Sequence, residues 1–323
     1  MQKVKVGIVG GAGYTGGELL RLLLIHPAVD LTFVHSKSNA NKPVYEAHAD
    51  LFGDTDLVFT DELNQKIDVL FLCLGHGDSK VFLQENPIDK HIKIIDLSQD
   101  FRLHETAGEF VYGLPELNKE KIREANYIAN PGCFATAIQL ALLPLAKVGK
   151  LGDALYINAL TGSTGAGQRP SASTHFSWRA NNISVYKAFT HQHLNEIGES
   201  LAQLQPNFNQ NIKFIPERGD FARGIFVSIV LESKDTTEEL LQLYKDYYQP
   251  HPFTHISDKE IDLKQVVNTN KCLISITKHG DDVLITSTID NLLKGASGQA
   301  VQNMNLLFGL DEKTGLQLKA SAF

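Results

Sequence analysis

The chain has 323 residues, 43% of them hydrophobic and 21% charged, and a formal net charge of −7. That length has room for two domains, and the acidic balance argues against a nucleic-acid or membrane-surface protein, whose footprint is basic. It leaves room for an anionic small substrate, because a few local arginines suffice. Met1-Gln2-Lys3 leads straight into a strand, so neither a signal peptide nor a spanning segment is expected. Lys3 to Val9 is a β-branched run suited to a buried parallel strand. It runs into Gly10-Gly11-Ala12-Gly13-Tyr14-Thr15-Gly16, and Glu18 to Leu24 then has helical composition. Strand, glycine turn and helix form the context a dinucleotide fingerprint requires. Gly11, Gly13 and Gly16 fit G-x-G-x-x-G, and Gly10, Gly13 and Gly16 fit G-x-x-G-x-x-G. The glycines let the backbone approach a pyrophosphate at the helix N-terminus.

The second strand, Asp30 to His35, ends in Ser36-Lys37-Ser38-Asn39. An NAD-preferring site has a carboxylate there for the ribose hydroxyl. Hydroxyls, an amide and a lysine suit a 2′-phosphate instead, so NADP(H) is the expected cofactor. Two further strands, Ile67 to Leu74 and Ile92 to Leu97, stop at Gly75-His76-Gly77 and Ser98-Gln99-Asp100-Phe101-Arg102. Ligands sit outside the carboxyl ends of such strands, which places Gly75, His76, Ser98 and Asp100 near a cleft. Cys73, inside an apolar strand, reads as a small buried residue. Tyr112 to Leu117 reads as irregular.

Asn130-Pro131-Gly132-Cys133 follows a short extended run and opens an apolar helix through Leu145. Cys133 thus falls at or near the first helical position. The unpaired amides of a helix start stabilise a thiolate there and could hold an oxyanion. Together with Cys272, the three cysteines show no C-x-x-C and no disulfide-like spacing, so a reducing compartment is expected.

Beyond it, Leu155 to Leu160 is a strand that enters the glycine loop Thr161 to Pro170, in which Gly165 and Arg169 lie. Long glycine loops on a rigid scaffold often contact ligand. His191 to Ile197 begins a helix with Thr190 as its expected N-cap. His193 and Glu196 share a face, so the carboxylate can orient the imidazole as a general acid or base, with His191 as the alternative. Metal ligation by H-x-H-x-x-E is disfavoured, since His191 and His193 would point to different faces of a helix. Arg218 and Arg223 bracket a turn between two strands; such pairs bind carboxylate or phosphate, or form surface ion pairs. Residues 273–289 hold two strand patterns around His279 to Asp282. Asp290 to Gly298 is glycine-rich, with Asn291 and Lys294 expected to face the cofactor, and Gln299 to Gly309 is an amphipathic helix.

Taken in order, these motifs resemble the N-acetyl-γ-glutamyl-phosphate reductases, of the semialdehyde dehydrogenase superfamily. The residues that carry the resemblance are Gly10 to Gly16, Asp96 to Arg102, Tyr112-Gly113-Leu114-Pro115-Glu116, Asn130 to Cys133, Gly165-Ala166-Gly167, His191 and His193 with Glu196, and Asp290 to Ala296. The family implies an α/β protein. A Rossmann NADP-binding domain (1–132 plus 297–323) would carry an inserted α+β catalytic domain (133–296), and the chain would form a dimeric or tetrameric homo-oligomer. It implies a cytoplasmic enzyme of arginine biosynthesis, with an acyl phosphate and inorganic phosphate as its small-molecule partners and with no nucleic acid, membrane or metal. Cys133 would form a thioester, and His193, oriented by Glu196, would move the proton, with Arg102, Arg169 and Arg223 as substrate anchors. Cofactor contacts would come from Gly10, Gly11, Gly13, Tyr14, Thr15, Gly16, Ser36, Lys37, Ser38, Gly75, His76, Ser98, Gly165 and Asn291.

The sequence departs from the family pattern at two places. Gln168 stands where members commonly carry Arg, and Pro216 to Gly224 lacks the Pro-His and Pro-Met elements expected before Arg-Gly. Both bear on the N-acyl group, acetyl by default and succinyl as the alternative. Aspartate-semialdehyde or aminoadipate-type reductases share the chemistry with a different chain length. A cysteine hydrolase built on Cys133, His193 and Glu196, and a redox-sensing NADP-binding regulator, are rivals from other classes.

Overall fold

The computed structural model describes residues 3–152, 154–209 and 211–321. The Met1-Gln2 lead-in and the last two residues of the C-terminal segment, Ala322 and Phe323, lie outside the described residues. The chain forms two compact units, one comprising Met1–Gly132 with Ala296–Gln317 and the other Cys133–Gly295 with Leu318–Phe323. The described residues 318–321 thus group with the second unit, although the sequence reading placed them with the first.

In the first unit, β1 (Val4–Val9) feeds α1 (Tyr14–Leu24), followed by β2 (Val29–His35), β3 (Phe59–Thr60), β4 (Val69–Leu72) and α2 (Asp78–Glu85). Then come β5 (Lys93–Asp96), α3 (His104–Ala107), β6 (Phe110–Tyr112), α4 (Pro115–Glu124) and β7 (Tyr127–Ala129). The strands form one sheet in the order β3-β2-β1-β4-β5-β7-β6, and every pair is parallel. Strands buried on both faces explain the continuous apolar runs of β1 and β4. The chain builds outward from β1 first to one side and then to the other. The carboxyl end of β1, where the glycine turn lies, is therefore the switch point at which α/β sheets bind ligands. The C-terminal helix Gly298–Leu307 returns to this unit and is buried along its whole length. It is tied down by Asn303 Nδ2 donating to Gly113 O at 2.8 Å and by Asn305 Oδ1 meeting His26 Nε2 at 3.1 Å.

Two local expectations fail here. Tyr112 to Leu117 is not irregular: Pro115 opens α4, where a residue without an N–H suits the first helical position. Cys73 lies just past β4 rather than inside it, and desolvation pushes its thiol up to about 12.

The second unit starts with α5 (Cys133–Lys147) and continues with β8 (Leu155–Thr161), α6 (Phe176–Arg179), β9 (Ser184–Val185), α7 (His193–Leu204), β10 (Ile212–Arg218) and β11 (Ile225–Glu232). It ends with α8 (Thr237–Tyr248), β12 (Thr254–Ser257), β13 (Cys272–His279) and β14 (Asp282–Ile289). The mixed sheet runs β12-β13-β14-β11-β8-β10-β9. In β11, Ile225, Val227, Ile229 and Leu231 are buried and alternate with more exposed residues, the period expected of a sheet covered on one face.

Helix α5 is apolar all round, and Phe134 to Ala146 are all buried. It carries Pro144 in its interior, which removes the N–H that would pair with the Leu140 carbonyl. The Tyr248 hydroxyl of α8 donates to that carbonyl, and the Tyr244 hydroxyl donates to Ala141 O at 2.5 Å. Tyr248→Phe strands a buried acceptor, so chemical denaturation should show a loss of about 1–3 kcal/mol.

Candidate active site

The glycine turn of the first unit fits a dinucleotide. Gly10 has φ +79, and a Cβ there would lie 2.4 Å from Cys73 O. A Cβ on Gly16 would lie 2.6 Å from Gly11 O, so only glycine allows α1 to pack this close to the turn. Gly13, by contrast, is open, with nothing nearer than 3.7 Å. It precedes Tyr14 at the start of α1 and provides no side-chain cap, leaving the first amides of the helix available to an anion. The turn is held from behind. Gly10 N and Gly11 N donate to His35 O, His48 Nε2 meets Gly11 O at 2.8 Å, and Ser297 Oγ donates to Thr15 O at 2.9 Å.

At the end of β2, Ser36 and Ser38 face each other through their hydroxyls at 3.5 Å, and Asn39 Nδ2 donates to both. Lys37 and Ser38 are exposed. No carboxylate occupies Ser36 to Asn39, so the hydroxyl, amide and ammonium groups favour a ribose phosphate over a bare ribose hydroxyl. Past β4, Gly75 and His76 are exposed, and His76 Nδ1 accepts from Gln99 N at 3.3 Å. Ser98 is turned inward: its hydroxyl donates to the buried Asp96 Oδ2 at 2.6 Å and accepts from Asp100 N. Asp100 accepts from Gly77 N and Lys80 N, which satisfies amides at the start of α2. Arg102 is buried and donates from Nε to Asn130 O and from Nη2 to Leu97 O, tying the ends of β5 and β7 together.

In the second unit Cys133 is the first residue of α5 and is half-buried. Phe134 beside it is a platform for both imidazoles, with ring centroids 5.5 Å from His191 and 6.2 Å from His193. The helix begins at His193, not His191, and exposed Thr190 does not cap it. His191 does that work, its Nδ1 accepting from His193 N at 3.2 Å. Because His191 precedes the helix, the two rings do not diverge as a helical spacing would require. Their centroids are 4.6 Å apart. Among the described residues, no group of three or more His, Cys, Asp or Glu side chains is arranged to hold a metal ion.

Glu196 Oε1 lies 3.8 Å from His193 Nε2, within ion-pair reach but longer than a hydrogen bond. Both side chains are buried. Gln139 of α5 fixes this turn of α7 by donating to Glu196 O and Ser200 Oγ. Desolvation, then Lys187 and Arg218, push His191 down to about 4. The unfolded chain protonates this histidine near 6.5, so between about 6.5 and about 4 it binds more protons than the folded chain. Stability contributed by the neutral imidazole is thus present above that window and lost as pH falls through it. Urea midpoints should fall accordingly, less steeply in His191→Gln.

The π-helical turn Leu293–Ser297 replaces the expected glycine loop. Gly295 is required there, since a Cβ would come within 2.9 Å of Cys133 Cβ. Asn291 braces the other glycine loop, accepting from Gly224 N at 2.6 Å and donating to Thr164 Oγ1 at 3.0 Å. Gly165, in that loop, is exposed, as is Arg169. Lys294 is fully buried and lies 6.0 Å from the Phe253 ring. Arg223 is engaged by Asp290 through Nε at 3.1 Å and Nη2 at 3.2 Å.

Residues 5–125 match the family described as the semialdehyde dehydrogenase NAD binding domain, and residues 133–291 match its dimerisation domain. Proteins called N-acetyl-gamma-glutamyl-phosphate reductase from Azobacteroides pseudotrichonymphae genomovar. CFP2 and Flavobacterium johnsoniae are 63% and 59% identical to this chain. Each comparison covers 99% of this chain and 100% of the relative. The chain belongs to the N-acetyl-γ-glutamyl-phosphate reductase family. The fold is also that of aspartate semialdehyde dehydrogenase II from Vibrio cholerae, with a TM-score of 0.75 at 18% identity over 95% of this chain and 99% of that one.

In this member of the reductase family, two residues beside the histidines escaped the sequence reading. Tyr186 is 5.8 Å from His191 between ring centroids, and its hydroxyl is pushed up to about 12, by burial first and then by Cys133. Arg218, read only as half of an arginine pair, lies over the Tyr186 ring, 4.6 Å from its centroid. Tyr186 stands in a segment without hydrophobic periodicity, and only folding reveals its neighbours.

Proposed function

We propose that this chain catalyses the NADPH-dependent reductive dephosphorylation of an N-acyl-γ-glutamyl phosphate, N-acetyl by default, to the semialdehyde in arginine biosynthesis. The observation that carries this reading is the grouping of His191 and His193 around Phe134, the residue next to Cys133, with Glu196 3.8 Å from His193. Cys133 attacks the acyl-phosphate carbonyl; the carbon–sulfur bond forms, the bond to phosphate breaks, and inorganic phosphate leaves. The amides at the start of α5 favour negative charge on the sulfur and on the tetrahedral oxygen. NADPH, held by the glycine turn of Gly10, Gly11, Gly13 and Gly16 with Tyr14, Thr15, Ser36, Lys37 and Ser38, supplies the hydride when bound. Gly75, His76 and the backbone at Ser98 would extend the cofactor's surroundings within the first unit; in the second unit, Asn291 braces the loop of Gly165, a further candidate contact. His193, held by Glu196, moves the proton to and from the substrate oxygen as the thiohemiacetal forms and collapses, releasing aldehyde and thiolate.

The test is phosphate-dependent reduction of NADP by N-acetyl-glutamate semialdehyde, the reverse direction. Absence of turnover with this aldehyde and with its N-succinyl analogue overturns the reading. Hydrolysis of simple esters without nicotinamide would favour a cysteine hydrolase.

The unit that matches a dimerisation domain also offers a surface for self-association. Tyr156, Val230 and Leu284 are opposed in register across β8, β11 and β14, and all three are exposed. A row of apolar side chains on an open sheet face is what a homo-oligomer buries. Light scattering should report at least twice the chain's mass. Among the described residues no helix is long and apolar enough to cross a membrane. The cysteines form no disulfide among the described residues, and we place the enzyme in the cytoplasm.

A further inference from the structure

Arg218 is the last residue of β10, and its surroundings suit an anion that the chain does not supply. Its guanidinium carbon lies over the Tyr186 ring, 4.6 Å from the centroid. Its Nε is buried, with no hydrogen-bond partner among the described residues. Neighbouring arginines are occupied. Arg223 is held by Asp290, and Arg179 donates to Arg218 O at 2.6 Å and to Asn182 O at 3.1 Å. The nearby Asp220 is exposed and accepts from Asn181 N. A buried donor facing no acceptor is costly, and an Arg fork packed over a ring is limited in its motion and suited to a carboxylate.

Its position ties it to the reaction. Tyr186, beneath Arg218, lies 5.8 Å from His191 between ring centroids, and His191 packs 5.5 Å from Phe134, the residue next to Cys133. Arg218 is thus linked through Tyr186 and His191 to the helix start that carries Cys133. It also lies in Pro216 to Gly224, where this sequence departs from the family pattern.

We propose that Arg218, steadied by Tyr186, binds a carboxylate of the substrate and sets which N-acyl-glutamyl compounds the enzyme accepts. The proposal rests on the reductase reading. Two carboxylates share the required chemistry: the one on the glutamyl α-carbon, and one at the far end of a dicarboxylic N-acyl group.

The experiment compares wild type, Arg218→Gln and Arg218→Lys in the reverse reaction with N-acetyl- and N-succinyl-glutamate semialdehyde. In Arg218→Gln the semialdehyde KM should rise by about 10- to 100-fold, with little change in kcat or in the KM for phosphate. Arg218→Lys should recover only part of the loss, because an ammonium cannot fork. A rise with both aldehydes assigns the α-carboxylate, and a rise confined to the N-succinyl compound assigns the acyl carboxylate. Unchanged KM for both, or a rise only in the KM for phosphate, overturns the proposal. If wild type turns over neither aldehyde, the reductase reading fails instead. Alkylation of Cys133 then still decides whether Arg218 attracts anions to this pocket. Arg218→Gln should slow reaction with iodoacetate but not with iodoacetamide, and an unchanged ratio of the two rates rejects anion binding.

Discussion

Cys133→Ser is expected to lower turnover by on the order of 10⁴-fold while NADPH still binds. A serine hydroxyl fits the same volume, so packing against Gly295 and the start of α5 is kept. What changes is the nucleophile. A hydroxyl is scarcely ionised at neutral pH, and a helix N-terminus favours a charge that a thiol can adopt far more readily. On the proposed reading the main cofactor contacts are Gly10 to Gly16 and Ser36 to Ser38, in the other compact unit, so cofactor affinity is expected to change little. Fluorescence titration with NADPH and stopped-flow turnover separate the two effects. Near-normal rates in the serine variant would rule out a covalent thioester. Loss of both properties would mean that the substitution had disturbed the fold rather than the chemistry.

The first unit was legible because its signals are local. A β-branched run, a glycine turn and a leucine-rich helix are read from consecutive residues, and the structure places β1 and α1 on either side of that turn. Helix α4 was not legible, since Glu116 to Lys121 is mostly polar and carries no apolar stripe. Its only signal is Pro115 at the first position. The site was half legible. Cys133 and the two histidines stand in recognisable sequence settings, but the cap on α7 is an imidazole rather than the hydroxyl of Thr190. No residue preference announces such a cap. Tyr186 and Arg218 meet only because β9 pairs antiparallel with β10, a contact set by sheet order rather than by any motif. Arg102 and Arg223 illustrate the converse. Their charge suggested ligand binding, and folding directs them to carbonyls and to a buried carboxylate.

His193→Gln should lower kcat by about 10²- to 10⁴-fold, whereas His191→Gln should stay within about tenfold of wild type. The two imidazoles lie 4.6 Å apart, so position alone does not separate them. Their partners do. His191 is neutral at physiological pH because burial, Lys187 and Arg218 press it down to about 4. Its Nδ1 accepts from a backbone N–H, which leaves the proton on Nε2. A group that acidic holds too little of its protonated form near neutrality to serve the substrate oxygen, and its contribution is to shape the turn into α7. His193 instead has the Glu196 carboxylate 3.8 Å from Nε2, a partner that favours the imidazolium and limits the ring's orientation. The pH dependence of kcat/KM makes the distinction measurable. Replacing His193 should remove one limb of the profile, since a glutamine cannot exchange the proton, and replacing His191 should leave both limbs in place. If His191→Gln erased a limb while His193→Gln kept it, the roles of the two residues would be reversed. Glu196→Gln adds an independent reading, because loss of the carboxylate's charge should shift the limb that belongs to His193 toward lower pH.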